Sequence, residues 1–186
     1  MIGVLASGSG TNLQALLDAG LPVSAVASNK CDAFALERAQ RASVNTRVFL
    51  LEDFSDRADR DRAMASWLSG YKVRLVVCAG YMHLLSPSFL EKFPSCVINV
   101  HPSLLPDFPG MNAITDALES GVEKTGVTVH YVDEGVDTGP VIEQVEVSIH
   151  EGDTLVTLQA RIQEVEHHLL PEVTCRLVEK IRFATL

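Results

Sequence analysis

Short apolar runs alternate with segments of helical periodicity along the whole chain. Ile2 to Ala6 is continuously apolar, the mark of a strand buried on both faces. Val23 to Ala27, Arg47 to Leu51, Val73 to Gly80 and Val97 to His101 predict further strands, Val73 to Gly80 being the most apolar and so the most central. Between them lie a helix from Leu13 to Ala19 and one from about Ala33 to Ala42, where Ala33, Leu36 and Ala39 recur at helical spacing. A charge-rich stretch, DFSDRADRDRAMASWL, runs into a third helix, and Pro87 starts a short one. A helix over Ala113 to Ser120 stops at Gly121. Thr125 to Val132 and Val141 to Ile149 alternate as strands, and Asp153 or Thr154 caps a terminal helix. Leu155, Leu158, Ile162, Val165, Leu169, Val173, Leu177 and Ile181 form the apolar stripe of that helix, with Pro171 predicted to kink or break it. Strands alternating with helices predict an α/β fold, a doubly wound, mostly parallel sheet flanked by helices, in a single domain over residues 1–186.

Composition narrows the function classes. At 186 residues the chain is one domain by size, and 47% apolar with 21% charged residues describes an ordinary globular protein. A net charge of −9 argues against a nucleic-acid or anionic-membrane surface, though a few local cations or backbone amides suffice for an anionic small molecule. No apolar run approaches the length that spans a bilayer, and the chain enters its first strand without a charged leader. Cys31, Cys78, Cys96 and Cys175 are scattered with no C-x-x-C pair, which fits reduced thiols in a cytoplasmic protein. His167 and His168 are adjacent and diverge on a helix, so no metal site is expected.

Two stretches carry chemistry. SGSGTN, residues 7–12, joins a strand to a helix, an arrangement that aims free backbone N–H groups at a phosphate; it is not the dinucleotide fingerprint, because Leu13 stands where a third glycine belongs. In VINVHPSLLPDFPG, residues 97–110, Asn99 and His101 point to the same side of a strand that Pro102 ends. An amide donates to a developing oxyanion and an imidazole moves protons near neutral pH; the plain alternative is a polar pair capping a strand. Asp133 and Glu134, in the acidic loop DEGVDTGP, read as turn formers.

The segment Asn-x-His-Pro-Ser-Leu-Leu-Pro, Asn99 to Pro106, resembles the signature of the folate-dependent formyltransferases, and the Asp-Phe-Pro-Gly that follows resembles their purine-synthesis branch. The likeness runs from LASGSGTNLQALLDA to QEVEHHLLPEV. It implies a Rossmann-like formyltransferase fold with Asn99, His101 and Asp137 as catalytic residues. It further implies that Gly10, Thr11, Asn12 and Glu166 hold the phosphate and ribose of a ribonucleotide. Folate would meet Met82, His83, Leu84 and Leu85, together with Asn99, Asp133 and Asp137. It would also meet an arginine for which Arg57 aligns, with Arg60 and Arg62 close by. A carboxylate beside an imidazole favours the ring's charged form, the role the resemblance implies for Asp137. The sequence departs from the family at His83, where an arginine is common, and at Met111 to Ile114, where a histidine or two are usual.

The function so implied is formyl transfer from 10-formyltetrahydrofolate to the amine of glycinamide ribonucleotide, in the cytoplasm, with no metal, nucleic acid or membrane partner; a homodimer is compatible with it. A formyltetrahydrofolate hydrolase would use the same three residues on water. The hydrolases this chain resembles add an N-terminal regulatory domain, whereas here the first strand begins at Ile2. The formyltransferases that act on methionyl-tRNA add a C-terminal RNA-binding domain, and the acidic balance fits tRNA poorly. A silent nucleotide-binding module would keep the glycine turn without needing Asn99, His101 and Asp137.

Overall fold

In the computed structural model, which describes residues 1–183, the apolar run Ile2–Leu5 (β1) is buried throughout and lies mid-sheet. It pairs in parallel with Val23–Ser28 (β2) on one side and Leu75–Cys78 (β4) on the other. Asn45–Val48 (β3) forms one edge beside β2, and Val97–His101 (β5) lies parallel to β4. Lys124–Tyr131 (β6) and Val141–Ser148 (β7) complete the order β3-β2-β1-β4-β5-β6-β7, both joined antiparallel. The expected mostly parallel sheet is thus present, its last two pairings reversed.

Alternate strand residues face opposite layers. Ile2 and Val4 of β1 with Val77 of β4 enter one core with Leu13 and Leu16 of α1 (Thr11–Asp18), Ala35 and Ala39 of α2 (Phe34–Arg41), and Leu158, Ile162, Leu169 and Val173 of α6 (Leu155–Phe183). Leu5, Val76 and Cys78 enter the other core with Met64 and Leu68 of α3 (Arg57–Gly70) and Phe89 of α4 (Pro87–Leu90). Gly3 fits between the layers because a Cβ there would lie 3.0 Å from Leu68. The remaining helix, α5 (Ala113–Ser120), follows the strand-end loop and stops at Gly121 as expected.

Several elements differ from the pattern, β4 being two residues shorter at each end than Val73 to Gly80. The edge strand β3 starts and ends earlier than Arg47 to Leu51, because its partner β2 runs out at Ser28; Phe49 then turns inward to pack edge-on against Trp67. Helix α1 starts at Thr11, two residues early, since Gly10 in the left-handed region (φ 70°) caps it. Pro171 neither ends nor splits α6, which runs through it for 29 residues. Buried Leu169, Leu170 and Val173 anchor the helix on both sides of the proline, offsetting its missing hydrogen bond. Among the described residues no helix is long and apolar enough to cross a membrane.

Candidate active site

The carboxyl ends of β4 and β5 open onto a cavity of about 340 Å³. Parallel sheets present ligand sites at such ends, where loops diverge. Its walls are residues 80–85 after β4, Asn99 to Pro102, Gly110 and Met111, and the stretch from His130 to Asp137 apart from Tyr131 and Glu134.

Antiparallel pairing sets Asn99 opposite His130, and His101 opposite Thr128. Asp137, more than 30 residues further on in sequence from either β5 residue, folds back onto both. Its Oδ2 is 3.3 Å from His101 Nδ1 and accepts the Gly110 N–H at 2.8 Å. Its Oδ1 lies 3.4 Å from Asn99 Nδ2 and 3.6 Å from His130 Nε2. Burial pushes the Asp137 carboxyl up, but the His130 hydrogen bond, the Gly110 amide and the charges of both histidines outweigh it and hold the group below the usual carboxylate range. Asp137 is therefore an anion throughout the neutral range. His101, 4% exposed, donates from Nε2 to the Phe108 carbonyl at 2.8 Å, so the doubly protonated ring satisfies both of its neighbours.

Two non-glycine residues holding this ring occupy the left-handed region, Phe108 at φ 52° and Asp137 at φ 54°. That conformation costs about 1–2 kcal/mol per residue. The surrounding bonds offset it: Ser103 Oγ donates to the carbonyls of Asp107 and Phe108 at 2.5 and 3.2 Å, fixing the loop that carries the strain.

Sequence reasoning missed His130. Its Nδ1 donates to the Tyr131 carbonyl at 2.8 Å, and its Nε2 lies between Asp137 Oδ1 at 3.6 Å and Asn99 Nδ2 at 3.2 Å, donating to the carboxylate when the ring is doubly protonated and accepting from the amide when it is neutral. The only signal was one polar ring in an apolar strand, and nothing local marks which strand it will face.

The segment from Met82 to Leu85 divides by depth. Leu85 is buried core, whereas Met82, His83 and Leu84 are exposed where they line the cavity. Arg57 opens α3 at the surface and does not line the cavity, and Arg62 is exposed and pairs with Asp59. Arg60 is wholly buried: Asp61 Oδ1 accepts from its Nε and a terminal nitrogen at 3.0 and 2.7 Å. Asp61 also takes the Ser86 N–H at 2.7 Å, and Arg60 reaches His83 Nδ1 at 2.9 Å. The His83 ring is held below the ordinary histidine range by burial, then by Arg60, with Arg57 and Lys30 adding to it and Asp61 opposing. Asp133 does what turn chemistry predicts, accepting from the Gly135 N–H at 3.0 Å and the Thr138 hydroxyl at 2.7 Å, and it also lines the cavity.

Beside this cavity β1 delivers the glycine turn. No side chain caps α1 at Gly10, so the first-turn N–H groups lack the usual side-chain acceptor. A Cβ at Gly10 would sit 2.6 Å from the Ala35 backbone, so this close approach admits only glycine. Asn12 Nδ2 donates to Glu166 Oε2 at 2.9 Å, tying α1 to α6. Burial raises the Glu166 carboxyl above its usual range, and the Asn12 bond offsets part of that. Ser7 links turn and cavity, donating to Asn29 Oδ1 at 2.5 Å and accepting the Met82 N–H at 2.9 Å. At the rim, Met111 is 83% exposed and Ala113 and Ile114 enter α5. Among the described residues no group of three or more His, Cys, Asp or Glu is placed to hold a metal.

An amide, an imidazole and a carboxylate converging in a cavity beside an uncapped helix start are the features of an α/β group-transfer enzyme acting on a carbonyl carbon. The family model described as formyl transferase matches residues 1–174, and the chain belongs to that family. It is 41% identical over 178 residues to phosphoribosylglycinamide formyltransferase of Haemophilus influenzae, covering 92% of this chain and 84% of that protein. It is also 43% identical to the trifunctional purine biosynthetic protein adenosine-3 of Chironomus tentans, matching 92% of this chain but 13% of that longer protein. The crystal structure of phosphoribosylglycinamide formyltransferase from Streptococcus pneumoniae superposes with a TM-score of 0.92 at 42% identity, covering 95% of this chain and 98% of that one.

Proposed function

We propose that the chain transfers the formyl group of 10-formyltetrahydrofolate to the primary amine of glycinamide ribonucleotide. The observation that carries this reading is the meeting of Asn99, His101 and Asp137 in one cavity. Support comes from relatives of about the same length that bear the name phosphoribosylglycinamide formyltransferase.

The amine is already a nucleophile, so the protein's task is alignment and charge stabilisation. The amine lone pair forms a bond to the formyl carbon, and the carbonyl electrons move onto its oxygen. Asn99 Nδ2–H stabilises that oxyanion, and His101 joins it when its Nε2–H exchanges the Phe108 carbonyl for the substrate oxygen, Nδ1 staying on Asp137. The nitrogen that attacked loses a proton, the folate N10 gains one, and the carbon–N10 bond breaks to give the formamide and tetrahydrofolate. His101 is the group that moves these protons, and Asp137 orients its ring and balances its charge. Gly10, Thr11, Asn12 and Glu166 take the phosphate and ribose, while Met82 to Leu85 and Asp133 line the path of the folate. Arg57, exposed at the start of α3, is the free arginine for the folate's outer end, because Arg60 is buried against Asp61.

The test is acceptor dependence. Tetrahydrofolate release from the formylated folate is expected only when glycinamide ribonucleotide is added, with formylglycinamide ribonucleotide as co-product. Release of free formate at the same rate without acceptor would instead mark a hydrolase.

A further inference from the structure

The Arg60–His83 contact has no counterpart in the roles assigned above. A guanidinium has only donors, so at 2.9 Å His83 Nδ1 must accept, and the ring's proton then resides on Nε2. Arg60 has no freedom to do otherwise: it is fully buried, gripped through two nitrogens by Asp61, and Asp61 is itself fixed by the Ser86 backbone. His83 lines the cavity, its ring centroid 6.0 Å from that of Tyr81, and among the described residues its Nε2 meets no protein partner. A flexible cation at this position would have three or more donors and a full charge. The ring here has one donor, no charge and a fixed direction.

We propose that His83 is a specificity-determining residue for the folate co-substrate, its Nε2–H donating to an acceptor oxygen of the bound folate, and that Arg60 is the positioning residue that sets this tautomer. The inference rests on the formyl-transfer reading, and it deepens that reading by assigning a side-chain contact where the rest of the segment offers apolar surface and backbone. The charged groups facing the ring are Arg60, Arg57 and Lys30, with Asp61 the single anion. Three cations against one anion disfavour a proton on Nδ1, so the donor count stays at one on mild acidification.

Three measurements on the full chain decide it. Long-range ¹⁵N–¹H correlations of the histidine rings across pH 5–8, assigned with His83→Phe, are expected to give the Nε2–H tautomer for His83. They should also show it titrating below the ordinary histidine range. A signal for Nδ1–H, or a ring charged at neutral pH, overturns the proposal whether or not the protein is active. In steady-state kinetics with both substrates, His83→Phe keeps the ring's bulk and loses the donor. It should raise KM for 10-formyltetrahydrofolate about three- to tenfold, the worth of one neutral hydrogen bond, with a much smaller change in kcat and in the ribonucleotide KM. His83→Gln accepts from Arg60 with its amide oxygen and donates with its nitrogen, and should recover most of the loss. Equal folate KM for wild type and His83→Phe, or no recovery in His83→Gln, refutes the contact. Repeating the comparison with 10-formyltetrahydropteroate, which lacks the glutamate, locates the acceptor: a persisting difference places it on the ring system or benzoyl group, a vanishing one on the tail carboxylates. Wild-type protein with no acceptor-dependent turnover would sink the formyl-transfer reading instead, leaving the spectroscopic result to stand alone.

Discussion

Replacing Asn99 by alanine removes the one amide at the centre of the site. In the folded protein that amide is half-buried, 3.2 Å from His130 Nε2 and 3.4 Å from Asp137 Oδ1. Losing this pair of contacts costs stability on the scale of one hydrogen bond, about 0.5–1.5 kcal/mol. For a domain of this size each kcal/mol lowers Tm by about 2–4 °C, so the variant stays folded in an assay at 25 °C. The chemical cost is larger, because the donor acts on charge that exists only after the amine has attacked. Loss of one oxyanion donor typically lowers kcat about a hundred- to a thousandfold, equivalent to about 2.7–4 kcal/mol of transition-state stabilisation. Substrate binding lacks that charge, so both KM values should change far less than kcat. Single-turnover formyl transfer with saturating substrates isolates the chemical step from product release. A rate within threefold of wild type, in a variant whose melting curve shows it folded, would mean that Asn99 does not stabilise the intermediate.

The other expectations concern the frame of the site. Gly10→Ala places a methyl 2.6 Å from the Ala35 backbone at φ 70°, so the turn must open. We expect a stability loss of at least the roughly 1–2 kcal/mol of a left-handed alanine and a raised KM for the ribonucleotide; unchanged values for both would show that the turn does not hold the phosphate. Arg60→Met strands Asp61 in the core, for which about 3–5 kcal/mol is expected, a Tm drop of roughly 6–20 °C by thermal melt. Adding Asp61→Asn should restore part of that loss, and a single variant that melts like wild type would contradict the buried pair. Glu166 has a folded pKa raised by burial, so its anion disfavours folding at neutral pH and stability is regained as pH falls through the folded value toward the unfolded one. Glu166→Gln keeps an acceptor for Asn12 and should therefore melt above wild type at pH 7.5, with the gap closing toward pH 4.5. A gap that stays constant with pH would rule out titration of Glu166 as its source.

Periodicity made most of the elements legible because each reports a local rule. Strands β1 and β4 are apolar on both faces and so had to be covered on both sides; the stripe in α6 had to meet the sheet. The site was half legible. Asn99 and His101 are two apart on one strand, and the strand's repeat alone puts them side by side. The glycine turn was equally readable, since the strand, the turn and the helix start adjoin in sequence. Asp137, Glu166 and the folate segment entered through resemblance to a family, because nothing near them in the chain specifies a partner.

What the amino-acid sequence determined by itself was therefore the set of elements, the α/β class and the same-side placement of Asn99 and His101. Tertiary structure alone decided the rest. It reversed the last two strand pairings, and so set His130 against Asn99 and folded Asp137 back onto both rings. It carried α6 through Pro171 by packing on either side of the proline. It buried Arg60 rather than Arg57, turning a run of similar charges into one inward ion pair and two solvated side chains. The physical reason is the same in each case: local periodicity and turn chemistry act over a few residues, whereas burial, charge pairing and register are set by whichever distant surface closes over the chain.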